Sequence, residues 1–358
     1  MTHFLEDILR QPVELQRMLD YLQGPGRHRL AEAAAVVCNA RHVYLTGIGS
    51  SWHAALTAAP LFSLGGHPVY TQDASELLQC AALPSDAVII AISRTGRSIE
   101  IVHLLAKARA CGATVIGVTN SEDGPLAQEA QIPIVIGAKL DHAISVNTYS
   151  TLAATAGALA SASIGVFDDA LTTSLSRAVA AAGQSLGMWQ EQITESAWLL
   201  PSSIYYFLAR GSSLGSCHEA RLLWEEGVKS PATAMGTGGF RHGPQEVIAE
   251  GSRFGIWIDG RSMRGQDLAV ARDLMRLGAS VMLIGQDLPE DAGNLVFRLP
   301  EVPPEWQFMI DVIPAQLTAE RLARLSGVDC DSFRLCSYIV EDEWGLLHEK
   351  VSAPKEEM

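Results

Sequence analysis

The stretch AVIIAISRTGRSIEIVHLLAKARACGATVIGVT, residues 87–119, decides the fold. An apolar run leads into Ser93-Arg94-Thr95-Gly96-Arg97-Ser98, then into a segment with apolar residues at helical spacing that closes at Gly112. A second apolar run, TVIGVT, follows at once. Short continuous apolar runs are strands buried on both faces, and parallel strands joined by a crossover helix bury them in that way. Working outward, HVYLTGIGSS (42–51) and WHAALTAAPLFSLGG (52–66) repeat the order of strand, glycine turn and helix. The reading is α/β, a doubly wound parallel sheet with helices on both faces.

The same order returns downstream. RFGIWIDGRSMRGQDLAVARDLMRLGASVMLIG (253–285) parallels 87–119, and Gly211-Ser212-Ser213 maps on Gly49-Ser50-Ser51 at an offset of 162 residues. The chain reads as two tandem doubly wound units, each a flavodoxin-like three-layer αβα sandwich. The expected boundaries are an N-terminal helical segment over 1–25, a first unit over 26–175, a second over 190–345 and a tail over 346–358. In the first segment Phe4, Leu5, Ile8, Leu9, Val13, Leu15, Met18 and Leu19 recur at helical spacing, with an interruption expected at Pro12.

Composition narrows the function classes. With 48% hydrophobic and 18% charged residues the chain is globular, and 40 acidic against 26 basic side chains give a net charge of −14. Such a surface repels polyanions, so no nucleic-acid partner is expected. Six scattered cysteines without a CxxC pair point to a reducing cytoplasm, and no metal site or cofactor is expected. The uncharged run AISVNTYSTLAATAGALASASIGVF (143–167) is long enough to span a bilayer but rich in Ala, Ser and Thr, which favours a helix packed inside the protein over a membrane segment.

Ligands of open parallel sheets sit at the carboxyl ends of the strands, where two loops fall in the first unit: 47–51 and 93–98. Helix-start amides, the helix dipole and hydroxyl donors together bind phosphate. The same residues also cap helices and turn chains, so each loop alone is ambiguous. Neither loop spells the dinucleotide fingerprint GxGxxG.

Five segments, IGSSWHA, ISRTGRS, FLARGSS…HEARLLWEEG, GGFRHGPQEVI and GVDCDSFR, stand in the order seen in the double sugar-isomerase (SIS) domain family. The chain resembles in particular the isomerase half of glutamine–fructose-6-phosphate aminotransferases. That resemblance implies a phosphosugar isomerase acting on an amino-sugar or ketose 6-phosphate, with sugar-phosphate contacts at Ser50, Ser51, Ser93, Thr95 and Ser98, Arg94 beside them, and Ser145 near the sugar. It assigns the proton transfer between C1 and C2 to Glu226, and ring opening to His242, often from a neighbouring subunit. A homodimer or higher homo-oligomer with shared sites is therefore expected.

The chemistry suits these residue types: a partly buried carboxylate can move a proton through an enediol, and histidine exchanges protons near neutral pH. Glu219 lies seven residues before Glu226, two helical turns along the same face, in a supporting position, while Glu225 points away. Arg94 and Arg97 either favour a substrate with a second acidic group or face solvent.

Three departures stand against the resemblance. The glutaminase domain with its N-terminal cysteine is expected to be absent. The lysine found near the C-terminus of the family falls on Tyr338, or on Cys336 if the register slips by two, and no lysine lies between Lys229 and Lys350. Gly239 stands where the family commonly has Glu. Deglycases of phosphorylated sugar–amino acid adducts and non-catalytic phosphosugar-binding regulators remain alternative readings.

Overall fold

The computed structural model describes residues 1–342 and 345–346. Residues 347–358, most of the expected tail, lie outside the described residues.

Helices α1 (His3–Gln23) and α2 (Arg27–Asn39) precede a parallel sheet of five strands: β1 (His42–Thr46), β2 (Tyr70–Thr71), β3 (Ala87–Ser93), β4 (Thr114–Thr119) and β5 (Ile132–Val135). Their order is β2-β1-β3-β4-β5, with α3 (Ser50–Leu64), α4 (Ala74–Cys80), α5 (Ile99–Cys111) and α6 (Pro125–Glu129) as crossovers. Two long helices follow, α7 (Asn147–Ser163) and α8 (Asp169–Glu195). The second sheet holds β6 (Tyr205–Ala209), β7 (Ala232–Gly236), β8 (Arg253–Trp257), β9 (Ser280–Gly285) and β10 (Leu295–Arg298). Its order, β10-β9-β8-β6-β7, is that of the first sheet read from the other edge, and every described strand pair is parallel. Helices α9 (Ser213–Leu223), α10 (Thr237–Phe240) and α11 (Arg264–Arg276) connect it, and α12 (Phe308–Asp311) and α13 (Ile313–Leu325) return to the core. These are two tandem doubly wound α/β units.

The uncharged run forms α7, in which every residue except Ala162 is buried. No described helix is long and apolar enough to cross a membrane. Serine and threonine are tolerated there because their hydroxyls bond back into the helix, as Thr151 Oγ1 does to the Asn147 carbonyl at 2.7 Å.

Pro12 does not interrupt α1, which runs through it. The lost hydrogen bond and ring clash cost about 3 kcal/mol. Against that, Ile8, Leu15, Met18 and Leu19 are almost fully buried, each worth ~1.5–3 kcal/mol. Packing wins over local propensity. Val13, expected on the apolar stripe, is instead 59% exposed. Asp331 ties the far end of the chain to this helix, accepting the His3 and Phe4 amides at 2.9 and 2.8 Å.

Helices α3 and α9 cross where Gly215 meets α3: a Cβ there would lie 2.4 Å from the His53 carbonyl oxygen and 2.4 Å from Thr57 Cγ2. Only glycine allows that approach, which lets residues of the second unit reach a site built on the first.

Candidate active site

Neighbouring strands β1 and β3 deliver their loops to the same end of the first sheet. Gly49 turns the first loop at φ 57° and ψ −131°, a conformation closed to L side chains, and α3 starts at Ser50. Gly96 turns the second at φ 67°, with Ser93 Oγ accepting its amide at 3.1 Å, and α5 starts at Ile99. Two helix starts and a set of hydroxyls therefore face one cavity of about 210 Å³.

Ser50, Ser51, Ser93, Arg94, Thr95, Ser98, Ser145, Glu226 and Tyr338 all line it. Ser145 is placed by Asp141, a buried carboxylate that accepts the Val146, Asn147 and Thr148 amides at 3.0, 2.9 and 3.0 Å and so caps the start of α7.

Arg94 fastens a C-terminal strap over the opening. Its guanidinium donates to the Tyr338 carbonyl at 2.7 Å and to Ser145 Oγ at 3.1 Å, and stacks 3.9 Å from the Tyr338 ring centroid. The Ile99 amide, at the first position of α5, donates to the Val340 carbonyl at 3.0 Å. Arg97 is exposed and bonds the Asp123 carbonyl, so of the two arginines only Arg94 reaches the cavity.

Glu226 arrives from the second unit. After Leu223 the chain of α9 widens into a π turn, Trp224–Val228, and Glu226 sits on it. Burial first, then the neighbouring Glu219 carboxyl, push its pKa up to about 7, against the pull of Arg94 and Lys229.

Glu219 does not line the cavity. It is fully enclosed, accepting Ser50 Oγ at 3.0 Å and sharing a 2.7 Å hydrogen bond with His53 Nδ1. Burial raises Glu219 to about 8 and lowers His53 to about 3, so enclosure drives both partners toward their neutral forms. The pair holds Ser50 from behind. His53 went unread in the sequence although it stands one helical turn after Ser50, on the same face of α3.

His242 is exposed and does not line the cavity within one chain. Cys336 and Tyr338 both line it, so the cavity wall holds both positions to which the family lysine was aligned. Among the described residues no group of three or more His, Cys, Asp or Glu is arranged to hold a metal ion.

Residues 37–162 match the model of the SIS domain, a segment that covers the first sheet and its loops. Over 344 residues, 92% of this chain, it is 25% identical to a glutamine–fructose-6-phosphate aminotransferase of Pyrococcus horikoshii. The match covers 56% of that relative, so the chain spans about half its length. In fold it is similar to the C-terminal domain of glucosamine-fructose-6-phosphate aminotransferase from Francisella tularensis, with a TM-score of 0.80, 17% identity and coverage of 92% of this chain and 98% of that one. It is likewise similar to the glucosamine-6-phosphate deaminase of Thermotoga maritima, at TM-score 0.79 and 20% identity over 95% and 99% of the two chains. The chain thus shares its fold with these two proteins.

Proposed function

We propose that the protein interconverts an aldose and a ketose form of a hexose or amino-hexose 6-phosphate, with release or addition of ammonia at C2. The observation that carries this reading is Glu226: a carboxyl poised at about 7, on the wall of a cavity lined also by two hydroxyl-rich helix starts. The phosphate is held by Ser51, Thr95 and Ser98 with the starts of α3 and α5. The sugar chain then extends toward Ser145 and Glu226. At neutral pH Glu226 exists as both carboxylate and acid, which suits a group that takes a proton from one carbon and returns it to the next. Arg94 stabilises the carboxylate form and the growing enediolate charge. His242 opens the ring from a second copy of the chain, consistent with its exposure.

The test is an assay of the purified protein for fructose 6-phosphate and ammonia formed from glucosamine 6-phosphate, beside Glu226→Gln. Turnover with kcat/KM rising through pH about 7, lost in the variant while the sugar phosphate still binds, is the expected result. An active variant removes Glu226 from the mechanism.

One observation favours a second reading. The cavity shares Glu226, Phe333 and Cys336 with an adjoining lobe of about 370 Å³ lined also by Glu225, Lys229 and Arg334. Carboxylate and cationic groups side by side suit the zwitterionic end of a sugar–amino acid adduct, so a deglycase would show amine release from such a 6-phosphate adduct and none from glucosamine 6-phosphate.

A further inference from the structure

The tandem repeat places a second cavity at the carboxyl end of the second sheet. It measures about 440 Å³ and is walled by the loop after β6 (210–213), the loop after β8 (259–263), residues 304–307 and the last turn of α3. By the offset of 162, Ser212 and Ser213 stand where Ser50 and Ser51 stand in the first unit. We propose that this cavity is a second binding site, for a small phosphorylated polyol, that binds its ligand without converting it.

Three observations carry the proposal. First, a largely buried serine hydroxyl lines the cavity with its bonding capacity unused. Ser212 is 8% exposed, lines the cavity and has no hydrogen bond from its hydroxyl, whereas Ser213 is held by Asp311 at 2.6 Å. Gln307, also on the wall, is turned inward, its Nε2 donating to Ser213 Oγ at 3.4 Å and to the Ile258 carbonyl at 3.3 Å. A hydroxyl placed like that of Ser212 can both donate to and accept from a ligand in the cavity.

Second, the charges are arranged for a phosphate at one end and hydroxyls at the other. The 11-residue helix α9 starts at the cavity, and exposed Arg261 on the rim has no ion pair among the described residues. Arg210 is already committed, its Nε donating to Asp267 at 2.7 Å and its Nη2 to Gln266 at 2.6 Å. Asp259, which accepts the Met263 amide at 2.8 Å just ahead of α11, and half-buried Glu305 are acceptors suited to sugar hydroxyls. Two carboxylates on the wall disfavour a bare anion and select a ligand that brings donors with its phosphate.

Third, the same offset carries Glu226 to Leu64, which with Ser63 lines the second cavity at the end of α3. An apolar side chain stands where the proton-transfer group would be, so binding there leads to no turnover. The arrangement is reciprocal. Helix α3 begins in the first cavity and ends in the second, about 20 Å away at 1.5 Å per residue, while α9 begins in the second and leads through its π turn to Glu226 in the first.

Glucitol 6-phosphate, a phosphorylated polyol that cannot isomerise, is the probe. Backbone amide resonances of the full chain are followed by NMR during titration, with sodium chloride at matched ionic strength as reference. Saturable shifts at Gly211, Ser212 and Gly260 are expected, retained when the first cavity is blocked by Ser98→Asp. Ser212→Asp and Arg261→Glu should each weaken those shifts at least tenfold and leave the Gly49 and Gly96 response in place. Ser212→Ala, which keeps the volume of the wall, should weaken them by a smaller factor. The proposal is overturned if the second-cavity amides do not saturate, if they respond only while the first cavity is open, or if sodium chloride moves them equally. This outcome is independent of whether the first cavity catalyses anything.

Discussion

Glu226→Gln is expected to make the protein more stable as it makes it inactive, and the gain should depend on pH. A carboxyl displaced from its ordinary 4.5 to about 7 prefers its neutral form in the fold by roughly 3 kcal/mol. Its folded pKa lies above the unfolded one, so the native state binds the proton more tightly. The resulting stability is fully present below its ordinary pKa of 4.5 and is lost as pH rises through about 7. Above that, the fold carries a carboxylate in a place that disfavours it. Because Glu226 borders an open cavity, water screens part of this, and about half the ceiling, ~1–2 kcal/mol, is the expected cost at pH 8. At pH 5 only about a quarter of that has built up. Glutamine keeps the shape and removes the charge, so urea unfolding should show the variant more stable by ~1–2 kcal/mol at pH 8 and by under about 0.5 kcal/mol at pH 5. A variant less stable than the parent at pH 8, or an equal gain at both pH values, would refute the account of Glu226 as a buried carboxyl poised by its surroundings.

Other perturbations separate the parts of the site. Arg94→Met releases the strap from Tyr338 and Ser145 and removes a charge that lowers the Glu226 pKa, so KM should rise about tenfold and the acid limb of the pH–rate profile should move to higher pH. Gly215→Ala forces a Cβ to 2.4 Å from the His53 carbonyl, and overpacking of about 1–3 kcal/mol should outweigh a helix-propensity gain near 1 kcal/mol, giving a lower Tm and a lower kcat. The control is Gly187→Ala in α8, where nothing lies within 4 Å of the added Cβ, and which should gain about 0.5–1 kcal/mol with activity unchanged. Asp141→Ala leaves three amides at the start of α7 without their acceptor and should lose about 2–4 kcal/mol in chemical denaturation. Its sugar-phosphate affinity should fall with it, since Ser145 loses its anchor.

The parts of this protein read from sequence are those encoded by contacts between near neighbours. Residues 87–119 announce strand, turn and helix because apolar runs and Gly96 and Gly112 act within a few positions. The shared offset of Gly49-Ser50-Ser51 and Gly211-Ser212-Ser213 announces the duplication for the same reason. The position of the two hydroxyl-rich loops follows directly, since the loop that leads from a parallel strand into its helix lies at the sheet's carboxyl end. Pro12 misled because its local penalty was visible and the burial of Ile8, Leu15, Met18 and Leu19 was not. Glu219 and Glu226 look alike along an ideal helix, but the π turn at Trp224–Val228 intervenes, leaving the first enclosed and the second on the cavity wall.

Sequence alone determined two doubly wound units and set two hydroxyl-rich loops at the carboxyl end of the first sheet. Tertiary structure decided which of them meet. Close approach at Gly215 brings α9 against α3, so that a glutamate of the second unit reaches a cavity built on the first. Arg94 recruits a strap from almost 250 residues downstream, by Tyr338. Burial sets the charge of Glu219, His53 and Glu226. The physical reason is range: propensity and turn chemistry act over a few residues, whereas desolvation and packing depend on everything the folded chain places nearby.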